Sequence, residues 1–173
     1  MPDAPTISAG EETKPPRVDV PRYFRVACRF HDDEKVRAWP DWIKLFALYM
    51  LTTKHRNLEG FFVLPPDYAA ADLGWPRSRV LKALGILEDD RFLSFDHATN
   101  LTLIRNALKY QQPDSKNVQK AVLSRVRSLP ENQKLLQDFI DLATEHCRKT
   151  GLSPWAQGFP ELLRKEFRPQ QKL

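Results

Sequence analysis

The spacing of apolar residues changes several times along the chain, and each change marks a boundary. Residues 1–20 hold Pro, Gly, Ser, Thr and Glu with almost no large apolar side chain. Burial there cannot offset the entropy of ordering, so a flexible tail is expected. From Pro21 the run YFRVACRF interleaves aromatic and β-branched residues with Arg22, Arg25 and Arg29, the pattern of an edge strand or extended arm. Trp42 to about Lys54 is apolar nearly all round, which predicts a buried central helix with Asp41 just ahead as its cap. After Asn57 and Gly60, the FFVL run closed by Pro65-Pro66 predicts a short strand.

Pro66 suits a first helical turn, Tyr68 to Leu73 continues a short Ala-rich helix, and Gly74 supplies a left-handed residue to end it. A tight Gly74-Trp75 turn leads to a second helix, from Pro76 through Arg77 to about Asp89, with Val80, Leu81, Ala83, Leu84 and Leu87 inward. RFLSFDHATNLTLIRN then reads as a hairpin. Short helix, glycine turn, longer helix and hairpin together predict a winged helix-turn-helix domain over residues 21–115, in a chain that is mainly α with a small β-sheet.

Asn117 opens an amphipathic helix with Val118, Ala121, Val122, Val126 and Leu129 on one face. Ser128-Leu129-Pro130-Glu131 fits a capping box that would restart a helix from about Leu129 to Lys149, ended by Gly151. Residues 116–150 are therefore expected to form a C-terminal helical extension. Residues 151–173 are too interrupted by Pro and Gly for a long helix, and Trp155, Phe159, Leu163 and Phe167 are the candidate contacts of a docking tail.

Composition excludes some functions. Apolar residues make up 42% and charged residues 28%, as in an ordinary globular protein. The most apolar stretch, Trp42 to Leu51, is interrupted by Lys44 and falls short of the roughly 20 residues a membrane span needs. The N-terminus lacks the basic start and apolar run of a secretory signal, so a cytoplasmic protein without membrane contact is expected. Cys28 and Cys147 are far apart and have no metal-spaced neighbours. With no Gly-rich phosphate loop and no HExxH, and with His31-Asp32-Asp33-Glu34 reading as a polar turn, no catalysis, cofactor or metal is expected.

The formal charge of +5 is compatible with a polyanionic partner, but its distribution matters more than the total. On the second helix, 100° steps place Ser78, Lys82 and Gly85 opposite the buried line of Val80, Leu84 and Leu87, with Arg79 flanking them. Arg77, Ser78, Arg79 and Lys82 are the candidate major-groove contacts, and Lys116, Lys120 and Arg127 are expected to extend the basic surface. The plainer reading of the same charges is a solvated helix face. Glu88-Asp89-Asp90 would point away from DNA, and the hairpin tip, Asp96 to Asn100, lacks Lys and Arg.

Four stretches, RYFRVACRFHDDEKV, LFALYMLTTKHRNLEGFFVLP, DLGWPRSRVLKALGIL and LIRNALKYQQPDSKNV, in that order resemble bacteriophage and prophage replisome-organiser proteins, whose N-terminal winged helix is related to that of the DnaD helicase loaders. The resemblance covers about Arg22 to Leu129. It implies binding of double-stranded DNA at a replication origin, assembly into a homo-oligomer, and recruitment of host replication proteins through the C-terminal region. Two other uses of such a scaffold stay open, a transcriptional repressor and a protein-interaction module or inhibitor that binds no DNA.

Overall fold

The computed structural model describes residues 24–167, so the expected tail over residues 1–20 lies outside the described residues. Among those described, eight α-helices accompany one three-stranded antiparallel sheet of order β1-β3-β2. The strands are β1 (Phe61–Val63), β2 (Leu93–Asp96) and β3 (Leu101–Ile104). Phe61 pairs with Leu103 across β1 and β3, and Leu93 with Ile104 across β2 and β3.

The period of two along these strands divides the molecule. Phe62, Leu93, Phe95 and Ile104 join one core with α2 (Asp41–Thr52), α3 (Pro66–Leu73) and α4 (Arg77–Asp89). Phe61, Leu101 and Leu103 join a second core with α6 (Lys116–Arg127), α7 (Gln133–Cys147) and α8 (Pro154–Glu166). Successive strand residues point to opposite faces, so the sheet is the middle layer between two helical layers. Two short helices, α1 (Glu34–Ala38) and α5 (Ala107–Tyr110), flank it.

The start of the described chain is not a strand. Residues 24–27 belong to no strand, and Cys28–Asp32 form a 3-10 turn. Asp33 then accepts from the Lys35 and Val36 amides to open α1. Asp41 is likewise the first residue of α2 and not its cap. The Pro40 carbonyl takes the Ile43 and Lys44 amides, and the Asp41 carboxylate reaches Lys44 at 3.6 Å. Gly74 has φ 64 and closes α3 as its left-handed cap.

The capping box at Ser128 is absent. Ser128 ends α6, its hydroxyl donating to the Arg125 carbonyl, and α7 starts only after Asn132, whose side chain accepts from the Leu135 amide at 2.9 Å. Pro130 disfavours helical geometry at Leu129, the residue before it, and the Asn132 cap sets the start. On α6, Leu123 and Gln119 are buried where Ala121 was expected, and Ala121 faces outward.

Residues 154–166 form a regular helix despite Gly158 and Pro160. Ser153 caps it through the Ala156 amide at 3.1 Å, and Pro154 suits the first turn. An interior proline costs about 3 kcal/mol, whereas burying one Phe or Leu side chain contributes about 1.5–3 kcal/mol. Phe159 and Leu163, both 0% exposed in the second core, together outweigh that cost.

A buried polar link ties the loop before β1 to α6. Glu59, fully buried in the loop before β1, receives Arg125 of α6 in a bidentate pair at 2.8 and 2.7 Å. Beside it Gly60 has φ 69 and lies so close to α5 that a Cβ would stand 2.4 Å from that of Ala107. Among the described residues no helix is long and apolar enough to cross a membrane.

Candidate nucleic-acid interface

Helix α4 buries Val80, Ala83, Leu84 and Leu87 in the first core, which turns Arg77, Ser78, Arg79 and Lys82 to solvent. Its N-terminus follows Pro76 and carries no side-chain cap. First-turn amides without a cap, at the positive end of the helix dipole, attract anions.

Two tryptophans organise this surface. The Arg79 guanidinium lies 4.2 Å from the Trp75 ring centre and 5.3 Å from that of Trp42, and the Lys82 ammonium lies 6.0 Å from Trp42. Each ring is anchored: Trp75 stacks on buried Phe46 at 6.1 Å and meets Trp42 at 6.2 Å. A cation over an aromatic face gains about 0.5–1 kcal/mol at an exposed site while its N–H donors stay available. Arg79 is thus held in place without being consumed. In the sequence Trp42 belongs to the apolar central helix and Trp75 to the glycine turn; a turn Trp two residues before Arg-Ser-Arg is the signal available for this surface.

Arg77 forms an ion pair at 3.1 Å with Asp67 of α3. Both side chains are mostly exposed, so this pair contributes little and can exchange for another anion.

The expected extension of the basic surface does not form. Lys116, Lys120 and Arg127 belong to α6, on the other side of the sheet from α4, so the two groups do not share one face. Lys116 and Lys120 are exposed, and Arg127 is taken up by Glu166 of α8. The charges follow one another in sequence, but the strands between them reverse which side of the sheet the chain covers.

The acidic end of α4 has structural duties. Glu88 accepts from the Phe95 amide at 2.9 Å, tying the helix to β2, and Asp90 accepts from the indole N–H of Trp39. At the hairpin tip Asp96 accepts from the Thr99 hydroxyl and the Ala98 amide, which hold its carboxyl below the usual carboxylate range. The tip is therefore anionic. His97 is exposed there, 3.8 Å from Glu88.

The candidate docking residues separate. Phe159 and Leu163 are buried in the chain's own second core and cannot serve as docking contacts; Phe167 is half-buried against that core, and only Trp155, 47% exposed, stands out. An amphipathic helix buries its apolar face within the molecule when a partner helix is already present, and α7 is that partner here.

Both cysteines are free thiols. Cys28 is exposed, and burial pushes the Cys147 thiol up to about 12. Among the described residues no group of three or more His, Cys, Asp or Glu is placed to hold a metal ion. Comparison of the chain with protein-family models, curated proteins and solved structures finds no match.

Proposed function

We propose that the protein binds double-stranded DNA through α4, with α3, α4 and the β2–β3 hairpin acting as a winged helix-turn-helix. The observation that carries this reading is the exposed set Arg77, Ser78, Arg79 and Lys82 at an uncapped helix N-terminus, with Arg79 pre-ordered over two indole rings. Arginine can address guanine with two parallel hydrogen bonds, and serine, lysine and free amides suit phosphate oxygens. The anionic hairpin tip makes the wing a steric guide, with little part in gripping the minor groove. Replication initiation of the phage type, with self-association and recruitment of host replication proteins, is the biological setting proposed from the sequence resemblance.

Fluorescence anisotropy of the full chain with duplex DNA across a salt series tests the reading. Contacts with about four phosphates give a log-log slope of about −3.6, and a flat response would remove the electrostatic basis of the proposal.

A protein-interaction module is the second reading, favoured by the split of the basic residues between opposite sides of the sheet and by the acidic hairpin tip. It predicts no DNA affinity even at low salt, together with a stoichiometric partner that contacts α4.

A further inference from the structure

At the far end of α4, away from Arg77 to Lys82, a cavity of about 190 Å³ opens between the 24–32 stretch, α1, the α4–β2 junction and α5. Its floor is apolar and formed by buried Val36, Trp39, Ile104 and Ala107 with half-buried Phe92. Its rim is basic: Arg25, Arg29 and Arg91 all line it and are exposed. Among the described residues none of these three takes part in an ion pair.

The carboxylates at this site are already engaged. Asp33 accepts from the first-turn amides of α1, and Asp90 accepts from the Trp39 indole, while Lys35 donates to the Asp90 backbone carbonyl at 3.0 Å. Arg56, in the inner wall, donates to the Leu51 carbonyl and to Gln111, so it acts as fixed wall.

Arg91 is positioned by the end of α4. It sits at φ 57, in the left-handed region where Gly or Asn is the inexpensive choice, and its amide closes the turn by donating to the Glu88 carbonyl. The Phe92 amide donates to the Leu87 carbonyl in the same turn, so this backbone is the left-handed stop of α4, and the end of the helix places Arg91 at the mouth of the cavity.

We propose that this cavity binds a small organic anion, one flat apolar ring carrying a phosphate or carboxylate group. The ring would lie on the Val36, Trp39 and Phe92 floor and the acid group would meet Arg29 and Arg91 at the rim. The volume, below the roughly 300–1,000 Å³ of drug-sized sites, limits the buried part to about one ring. None of the α4 residues proposed to contact DNA lines the cavity, so this inference stands apart from that reading.

Titration of the full chain followed by ¹H–¹⁵N NMR tests it, with phenyl phosphate, benzyl alcohol and inorganic phosphate as probes. Phenyl phosphate is expected to give saturable shifts at the Trp39 indole N–H and at the Arg91 and Phe92 amides. Benzyl alcohol, lacking charge, and inorganic phosphate, lacking a ring, should each bind at least about fivefold more weakly. The double variant Arg29→Gln, Arg91→Asn should weaken phenyl phosphate about tenfold, Asn being chosen because it tolerates the left-handed backbone. Should that variant lose its native spectrum, the three-probe comparison on the unaltered chain decides alone.

Inorganic phosphate binding as tightly as phenyl phosphate would overturn the proposal, as would shifts confined to α6 or to Arg77–Lys82, or no saturation by about 10 mM. Displacement of phenyl phosphate by a short DNA duplex would also overturn it, since the cavity would then belong to a nucleic-acid surface.

Discussion

The two sides of the sheet treat their arginines differently. On the α6–α8 side the guanidinium groups are spent on neighbours: Arg125 on Glu59, Arg127 on Glu166, Arg148 on Glu161, and Arg164 on the Thr144 hydroxyl. On the α2–α4 side Arg77 and Arg37 make only exposed pairs, with Asp67 and Asp32, while Arg79 lies over indole rings and Arg25, Arg29 and Arg91 stand around a cavity without ion pairs among the described residues. A bidentate carboxylate engages one edge of a guanidinium and offsets its charge, whereas an aromatic face leaves the donors available. The difference assigns scaffolding to one side and the proposed recognition to the other.

The largest expected effect comes from cutting the link between the sides. Arg125→Met leaves the buried Glu59 carboxylate uncompensated and should cost about 3 kcal/mol in urea unfolding, at the low end for buried pairs because Arg125 is partly exposed. The double variant Glu59→Gln, Arg125→Met should recover much of that loss. If Arg125→Met unfolds like the unaltered chain, the pair is not what joins the layers.

Gly60→Ala comes next. It forces an L side chain into a left-handed backbone and against Ala107, with an expected loss of about 2–3 kcal/mol in the same measurement. Full stability would show that α5 can move away from the sheet.

Binding should then separate the two basic groups. Arg79→Ala is expected to weaken duplex binding by about 1–3 kcal/mol if it reaches base edges, while Lys120→Ala on the opposite side leaves it within about 0.5 kcal/mol. Equal losses would mean that DNA wraps both sides and would erase the contrast.

The smallest effect concerns pH and His146, buried on α7. Burial is the main cause that lowers its pKa below 6.5, with Glu145 opposing the shift and Lys149 and Lys109 adding to it. The unfolded chain therefore takes up this proton first, so stability is full above pH 6.5 and falls as pH drops below it. His146→Leu should flatten that part of the stability profile; an unchanged slope would assign the acid sensitivity to another group.

Most helices were legible in the chain because their signals are local. The glycine cap at Gly74, the inward line Val80, Ala83, Leu84 and Leu87, and the paired strands around Asp96 to Asn100 all depend on neighbours within a few residues. Errors arose where two local signals competed. Ser128 to Glu131 match a capping box, but Asn132 is the residue that caps α7, which starts at Gln133; Gly158 and Pro160 argue against a helix that tertiary burial of Phe159 and Leu163 nevertheless supports.

By itself the sequence determined the run of elements from α2 through the hairpin, the mainly helical character with a small sheet, and the exposed basic face of α4. Those follow from periodicity and capping, which act over one or two turns. Tertiary structure alone decided that the sheet is covered on both faces, that Lys116, Lys120 and Arg127 lie opposite α4, that Arg79 stacks on Trp42 and Trp75, and that Arg91 borders a cavity. Each joins residues distant in the chain, and side-chain periodicity tells which residues turn inward but not which core receives them.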